Sequence, residues 1–148
     1  MKLDITEQML FALLRSALHA THADATIFAG ITSEAWQECY RLSVRQGVMA
    51  LAWDGLITLP TELQPPKSLK INWWLAVERC EKRYRYYCRV ISDLSTFYAT
   101  HGITAVQLKG VGFANNYPIP SHREGGDIDI FTYSSDSSGL SDREANSL

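Results

Sequence analysis

Several things are scarce in this sequence, and each scarcity removes a class of protein. No stretch of the 148 residues approaches the eighteen or so uninterrupted apolar residues that a bilayer-crossing helix needs. The start, MKLDITEQMLFALL, places acidic residues among its first and has no long apolar run behind a basic one. It does not read as a signal peptide, and a cytoplasmic chain with no membrane partner is expected. Positive charge is not in excess: 14 Lys and Arg against 16 Asp and Glu leave a formal charge of −2. A protein that neutralises many phosphates shows the opposite balance, so nucleic acid is not an expected partner, although a local basic subsite remains compatible. Cysteine is limited to Cys39, Cys80 and Cys88, with no CxxC pair and an odd count, which fits a reducing compartment. On one helix Cys80 and Cys88 would stand roughly 12 Å apart, beyond disulfide reach, and all three read as core thiols. No GxSxG, HExxH or Walker pattern occurs, and that removes the common hydrolase and P-loop routes.

What remains is an ordinary globular composition, 46% hydrophobic and 20% charged, enough for one core, or one core plus a fragment. Asp4 followed by Glu7 has capping-box spacing, and Leu10, Leu13, Leu14, Ala17 and Leu18 form a helical stripe behind it, so a first helix is predicted over about residues 5–20. Ser33 is placed to cap a second helix, whose apolar face runs through Trp36, Tyr40, Val44, Val48 and Leu51 towards Gly55. Leu59-Pro60 and Gln64-Pro65-Pro66 then mark a loop.

The strongest periodicity follows. Trp73, Val77, Cys80, Tyr84, Tyr87, Ile91, Leu94 and Tyr98 alternate steps of four and three, predicting a long helix over about 68–100. Such a stripe suits a core helix packed on the two before it; as a coiled-coil seam it would give a homodimer. His101-Gly102 stops the helix, Ile103 to Leu108 reads as a short buried strand, and residues 111–116 read as a short helix. Tyr117-Pro118-Ile119-Pro120 makes an extended turn, and Asp127 to Tyr133 alternates as a second strand. From Ser134 the chain becomes SSDSSGLSDREANSL, with six serines and two leucines, too little apolar area to offset chain entropy, and disorder is expected. The predicted organisation is a helical region over 1–101, a partial catalytic core over 102–133 and a tail over 134–148.

Chemistry concentrates in GGDIDI. On a strand, residues i and i+2 share a face, so Asp127 and Asp129 would stand side by side while Ile128 and Ile130 face the core. Adjacent carboxylates repel unless a cation lies between them, and oxygen-only ligands suit Mg²⁺. Upstream, Lys109-Gly110 joins a positive charge to a residue that permits close backbone approach, and Arg123 adds a planar fork; all three suit phosphate.

The order Leu108-Lys109-Gly110, then Tyr117-Pro118-Ile119-Pro120, Arg123 and Asp127-Ile128-Asp129-Ile130 resembles the uncharacterised bacterial nucleotidyltransferase family within the polymerase-beta-like superfamily. Arg45-Gln46-Gly47-Val48 and Ala50-Leu51 look like the helical lead-in of that family, so the resemblance extends over about residues 1–132. It implies an α+β fold in which an N-terminal helical region leads into a polymerase-beta-like mixed sheet. It also implies Asp127 and Asp129 as catalytic metal ligands, with Mg²⁺ as cofactor, and Lys109, Gly110 and Arg123 on the phosphates of an NTP. The implied reaction transfers a nucleotidyl group to a hydroxyl acceptor. The family's third carboxylate comes from a later strand, whereas only Asp136 and Asp142 lie downstream here, in a serine-rich context, so a chain truncated inside its catalytic domain is expected. The competing function is a catalytically inactive remnant, a helical packing or dimerisation module.

Three other patterns carry less. Gly110-Val111-Gly112-Phe113-Ala114-Asn115 imitates a dinucleotide-binding turn, but Asn115 replaces its third glycine. Arg79, Lys82, Arg83, Arg85 and Arg89 interleave with tyrosines as in a nucleic-acid track, yet Glu78 and Glu81 offset them and a solvated face explains them. His19 and His22 have metal-pair spacing without a third ligand.

Overall fold

Asp4 opens the first helix by exchanging hydrogen bonds with Glu7. Its carboxylate accepts from the Glu7 N–H at 2.8 Å, and the Glu7 carboxylate accepts from the Asp4 N–H at 2.9 Å. This reciprocal cap starts α1 (Ile5–His19) where the spacing predicts it. The computed structural model describes residues 3–134. After α1 come α2 (Ala25–Phe28), α3 (Ser33–Arg45), α4 (Met49–Leu56) and α5 (Lys67–Thr100), then β1 (Ile103–Gln107), α6 (Val111–Ala114) and β2 (Ile130–Ser134). Single 3₁₀ turns lie at Thr61–Leu63 and Pro120–His122. Apart from the Ser134 backbone, the serine-rich tail lies outside the described residues.

Local chemistry corrects several boundaries. Thr32, not Ser33, is the cap of α3, its hydroxyl accepting from the Ala35 N–H at 3.3 Å. The single helix expected from residue 33 to Gly55 is two. Gly47 adopts φ +64, a left-handed conformation that costs glycine nothing, and there the chain leaves α3 and restarts as α4. The short α2, capped by the Asp24 carboxylate, carries no apolar periodicity and escapes the sequence reading. On α1 the buried face is Met9, Leu10, Leu13, Ser16 and Ala17, while Leu18 of the predicted stripe stays half exposed. Ser16 lies on the buried face with its hydroxyl satisfied, donating to the Thr21 carbonyl at 2.5 Å and meeting Thr58 Oγ1 at 3.1 Å.

One apolar core joins α1, α3, α4 and the first half of α5, with Trp36, Leu56 and Trp73 among its largest members. Trp73 is fully buried, its indole N–H donating to the Met49 carbonyl at 2.9 Å and its ring 5.0 Å from that of Tyr40. Gly55 lets α4 lie directly on α1: a Cβ there would stand 2.1 Å from the Leu13 carbonyl oxygen. Cys39 and Cys80 are buried in this core, and burial pushes the Cys39 thiol up to about 12. Cys88 is only half-buried, since it lies beyond the core end of the helix.

Along α5 the seam changes role. Trp73, Val77 and Cys80 are buried by the helical core, whereas Tyr84, Tyr87, Ile91, Leu94 and Tyr98 are half-buried. Beyond the core, α5 is the floor for β1 and, through Cys80, Glu81 and Tyr87, for the segment after α6. The two described strands pair antiparallel, from Ile103 opposite Ser134 to Gln107 opposite Ile130, which makes the molecule an α+β protein with its small sheet on the far half of the long helix. Among the described residues no helix is long and apolar enough to cross a membrane.

Candidate active site

β1 ends at Gln107, and the chain turns away at Lys109-Gly110. Gly110 has φ +74, and a Cβ there would stand 2.8 Å from the Asp127 carbonyl oxygen. Glycine is therefore required twice over, for its backbone angle and for this close approach. The turn also explains where β2 starts. Leu108 N–H donates to the Asp129 carbonyl at 3.0 Å, the last bond of the ladder, and beyond it the opposite chain has left, so pairing begins at Ile130 rather than at Asp127. The two aspartates precede the strand instead of lying on it, and Ile128 and Ile130 are half-buried rather than core residues.

The segment from Ser121 to Asp127 is tied down residue by residue. Cys80 Sγ contacts the Ser121 carbonyl at 3.5 Å. His122 is 5% exposed; its Nδ1 lies 2.9 Å from both Asp54 carboxylate oxygens on α4, and its Nε2 lies 3.1 Å from Glu81 Oε1 on α5. The Glu124 carboxylate accepts from the N–H groups of Met49 at 2.5 Å and Ala50 at 3.2 Å. It thus caps α4, which has no cap of its own, from 75 residues away, and a carboxylate suits the positive end of the helix dipole. Tyr87 Oη donates to the Gly126 carbonyl at 3.0 Å.

These ties bring all five sequence-predicted residues to one place. Lys109, Gly110, Arg123, Asp127 and Asp129 line an open cleft of about 160 Å³, completed by Gly125 and Gly126. Towards α5 the cleft narrows into a crevice lined by Cys80, Arg83, Tyr84 and Tyr87. Lys109 Nζ stands 3.3 Å from Asp129 Oδ2. The two form an ion pair, and Oδ2, screened from solvent, makes no well-oriented hydrogen bond beside it. The α6 helix behind Gly110 is only four residues long, too short for much of a macrodipole, and the positive charge here is that of Lys109 and Arg123.

Four contributors were not legible beforehand. His122 and Glu124 find partners 41 to 75 residues away, and no local spacing signals such pairs. Arg83 reads as part of a solvated face, and Tyr87 as a seam residue; each gains its place only once the 121–127 segment folds over α5. No set of three or more His, Cys, Asp or Glu side chains is arranged to hold one ion among the described residues.

Residues 32–139 match the family described as uncharacterised nucleotidyltransferase. The match begins at the cap of α3, so α1 and α2, expected within the resemblance, lie outside it. No curated protein matches the chain, and no solved structure matches it. Spanning well over half of the sequence, and holding every residue of the cleft, the match shows that this chain belongs to the uncharacterised nucleotidyltransferase family.

Proposed function

We propose that the cleft binds a nucleoside triphosphate with Mg²⁺ and transfers its nucleotidyl group to a hydroxyl acceptor. The observation that carries this reading is the meeting of two carboxylates and two cations around one cleft, with Lys109 Nζ held against Asp129 Oδ2 at 3.3 Å. Two carboxylates also suit Mg²⁺, which takes one or two from the protein and fills its remaining positions with water and substrate phosphates.

Asp127 and Asp129 would hold the metal, which when bound neutralises phosphate charge and, as a pair of ions, stabilises attacking and leaving oxygens. Lys109 exchanges its pairing with Asp129 for a phosphate oxygen as the triphosphate enters. Arg123 presents a bidentate fork to the same phosphates. Gly110 keeps the turn close enough for its backbone to line the anion. In the transfer, the acceptor oxygen bonds to the α-phosphorus while the bond from that phosphorus to the bridging oxygen breaks. Pyrophosphate leaves, and the acceptor proton passes to solvent.

Titration calorimetry of the 148-residue chain with ATP, GTP, CTP and UTP, with and without Mg²⁺, tests this reading. Binding should need Mg²⁺ and vanish in Asp127→Asn. Arg123→Ala should weaken it by about 10- to 100-fold, the worth of a hydrogen bond to a charged group, with the fold intact. Absence of binding by a demonstrably folded chain would favour the helical packing module instead. Equal unfolding of both variants would mean that these residues serve structure.

A further inference from the structure

Apart from the core thiols, His122 is the most buried titratable side chain among the described residues, the reaction above does not use it, and its surroundings are unusual. Both ring nitrogens face carboxylates, Nδ1 that of Asp54 on α4 and Nε2 that of Glu81 on α5. A neutral imidazole has one N–H and can donate to only one of them; the imidazolium donates to both. The two nitrogens lie on opposite edges of the ring, so one metal ion cannot replace these contacts. The other charged groups nearby are already engaged. Glu124 is held by the α4 N–H groups, Arg85 lies 3.4 Å from the far oxygen of Glu81, and Arg123 turns into the cleft. Cys80 packs on Ser121, and Tyr117 shares a small pocket with His122 and Glu124.

We propose that protonated His122 is a positioning residue, a clamp that joins α4 to α5 and holds the segment carrying Arg123 and leading to Asp127 over the cleft. The segment has no regular secondary structure beyond the 3₁₀ turn ending at His122, so side-chain ties set its position. Loss of the proton breaks one of the two carboxylate contacts and leaves an acceptor facing a carboxylate, which is repulsive. Burial of the ring opposes its charge, but the hydrogen bonds it donates to Asp54 and then Glu81, with their charges, outweigh it and hold the imidazole above its ordinary range. The sign follows: the clamp is complete below the ordinary histidine range of about 6.5 and is lost as pH rises through the higher folded value. On the nucleotide reading, on which only the last readout below rests, triphosphate affinity falls over the same interval.

The test is an NMR titration of the full chain between pH 5.5 and 9, following the His122 ring and the backbone amides of Arg123 to Asp127, in the wild type and in Asp54→Asn and Glu81→Gln. The His122 midpoint should lie above the ordinary histidine value, the segment amides should shift with the same midpoint, and each variant should lower it. A His122 that titrates at or below the ordinary value would overturn the clamp, as would segment amides that ignore its titration. ATP with Mg²⁺, added at either end of the range, should bind several-fold more weakly at the high end. If the amides follow His122 but no nucleotide binds at any pH, the clamp stands and the nucleotide reading falls.

Discussion

At the scale of single residues, Gly110 is where geometry is least forgiving. Its φ of +74 and the 2.8 Å approach of the Asp127 carbonyl mean that a methyl group both strains the turn and pushes the Asp127 segment away. Gly110→Ala should therefore reduce nucleotide affinity more sharply than it reduces stability, because only the turn and the cleft depend on that approach. Calorimetry beside thermal denaturation would separate the two; an Ala variant with unchanged affinity would show that the turn does not touch the ligand. Lys109, Gly110, Arg123, Asp127 and Asp129 were legible in the sequence because their chemistry is local, a Lys-Gly turn and an Asp-x-Asp repeat. His122 and Glu124 were not, since each makes sense only beside a helix whose residues are many positions away.

Among the elements, α4 shows how the helical region holds the site. It starts with no side-chain cap of its own, and Glu124 supplies one from the segment beside Arg123. Glu124→Ala should cost roughly 0.5–2 kcal/mol, the usual worth of a lost helix cap, and lower the melting temperature by about 2–4 °C per kcal/mol in a domain of this size. It should also loosen the Arg123 segment and weaken nucleotide binding, whereas Glu124→Gln should restore much of the stability. A melting temperature insensitive to Glu124→Ala would contradict the capping role. Element positions were largely readable from periodicity, α1 and α5 above all. The break at Gly47 and the late start of β2 were not. A stripe spaced for helix runs through Gln46-Gly47 without interruption, and an alternating Asp-Ile-Asp-Ile cannot reveal that its partner strand has already turned away.

Across the whole molecule, the apolar core is a helical platform and the cleft sits over the middle of α5, reached through Cys80, Glu81 and Tyr87. The two parts can be separated by substitution. Gly55→Ala would place a methyl 2.1 Å from the Leu13 carbonyl, and because backbone lies on the other side, α1 must move off α4. A loss of at least about 1–3 kcal/mol is expected, as for overpacked cores, while the nucleotide affinity of the folded fraction stays unchanged, since α1 lies outside both the cleft and the family match. Chemical denaturation paired with calorimetry checks both halves; parallel losses would mean that α1 supports the site directly.

The central claim is that a divalent cation and a triphosphate meet at Asp127 and Asp129, and paramagnetic broadening tests it most directly. Mn²⁺, which shares the preference of Mg²⁺ for carboxylate and water ligands, would be added with a non-hydrolysable ATP analogue to isotopically labelled protein. The expected result is selective loss of amide signals around Asp127–Asp129 and Lys109–Gly112, reversed by excess Mg²⁺ and absent in Asp127→Asn. Broadening centred elsewhere, or none with nucleotide present, would contradict it.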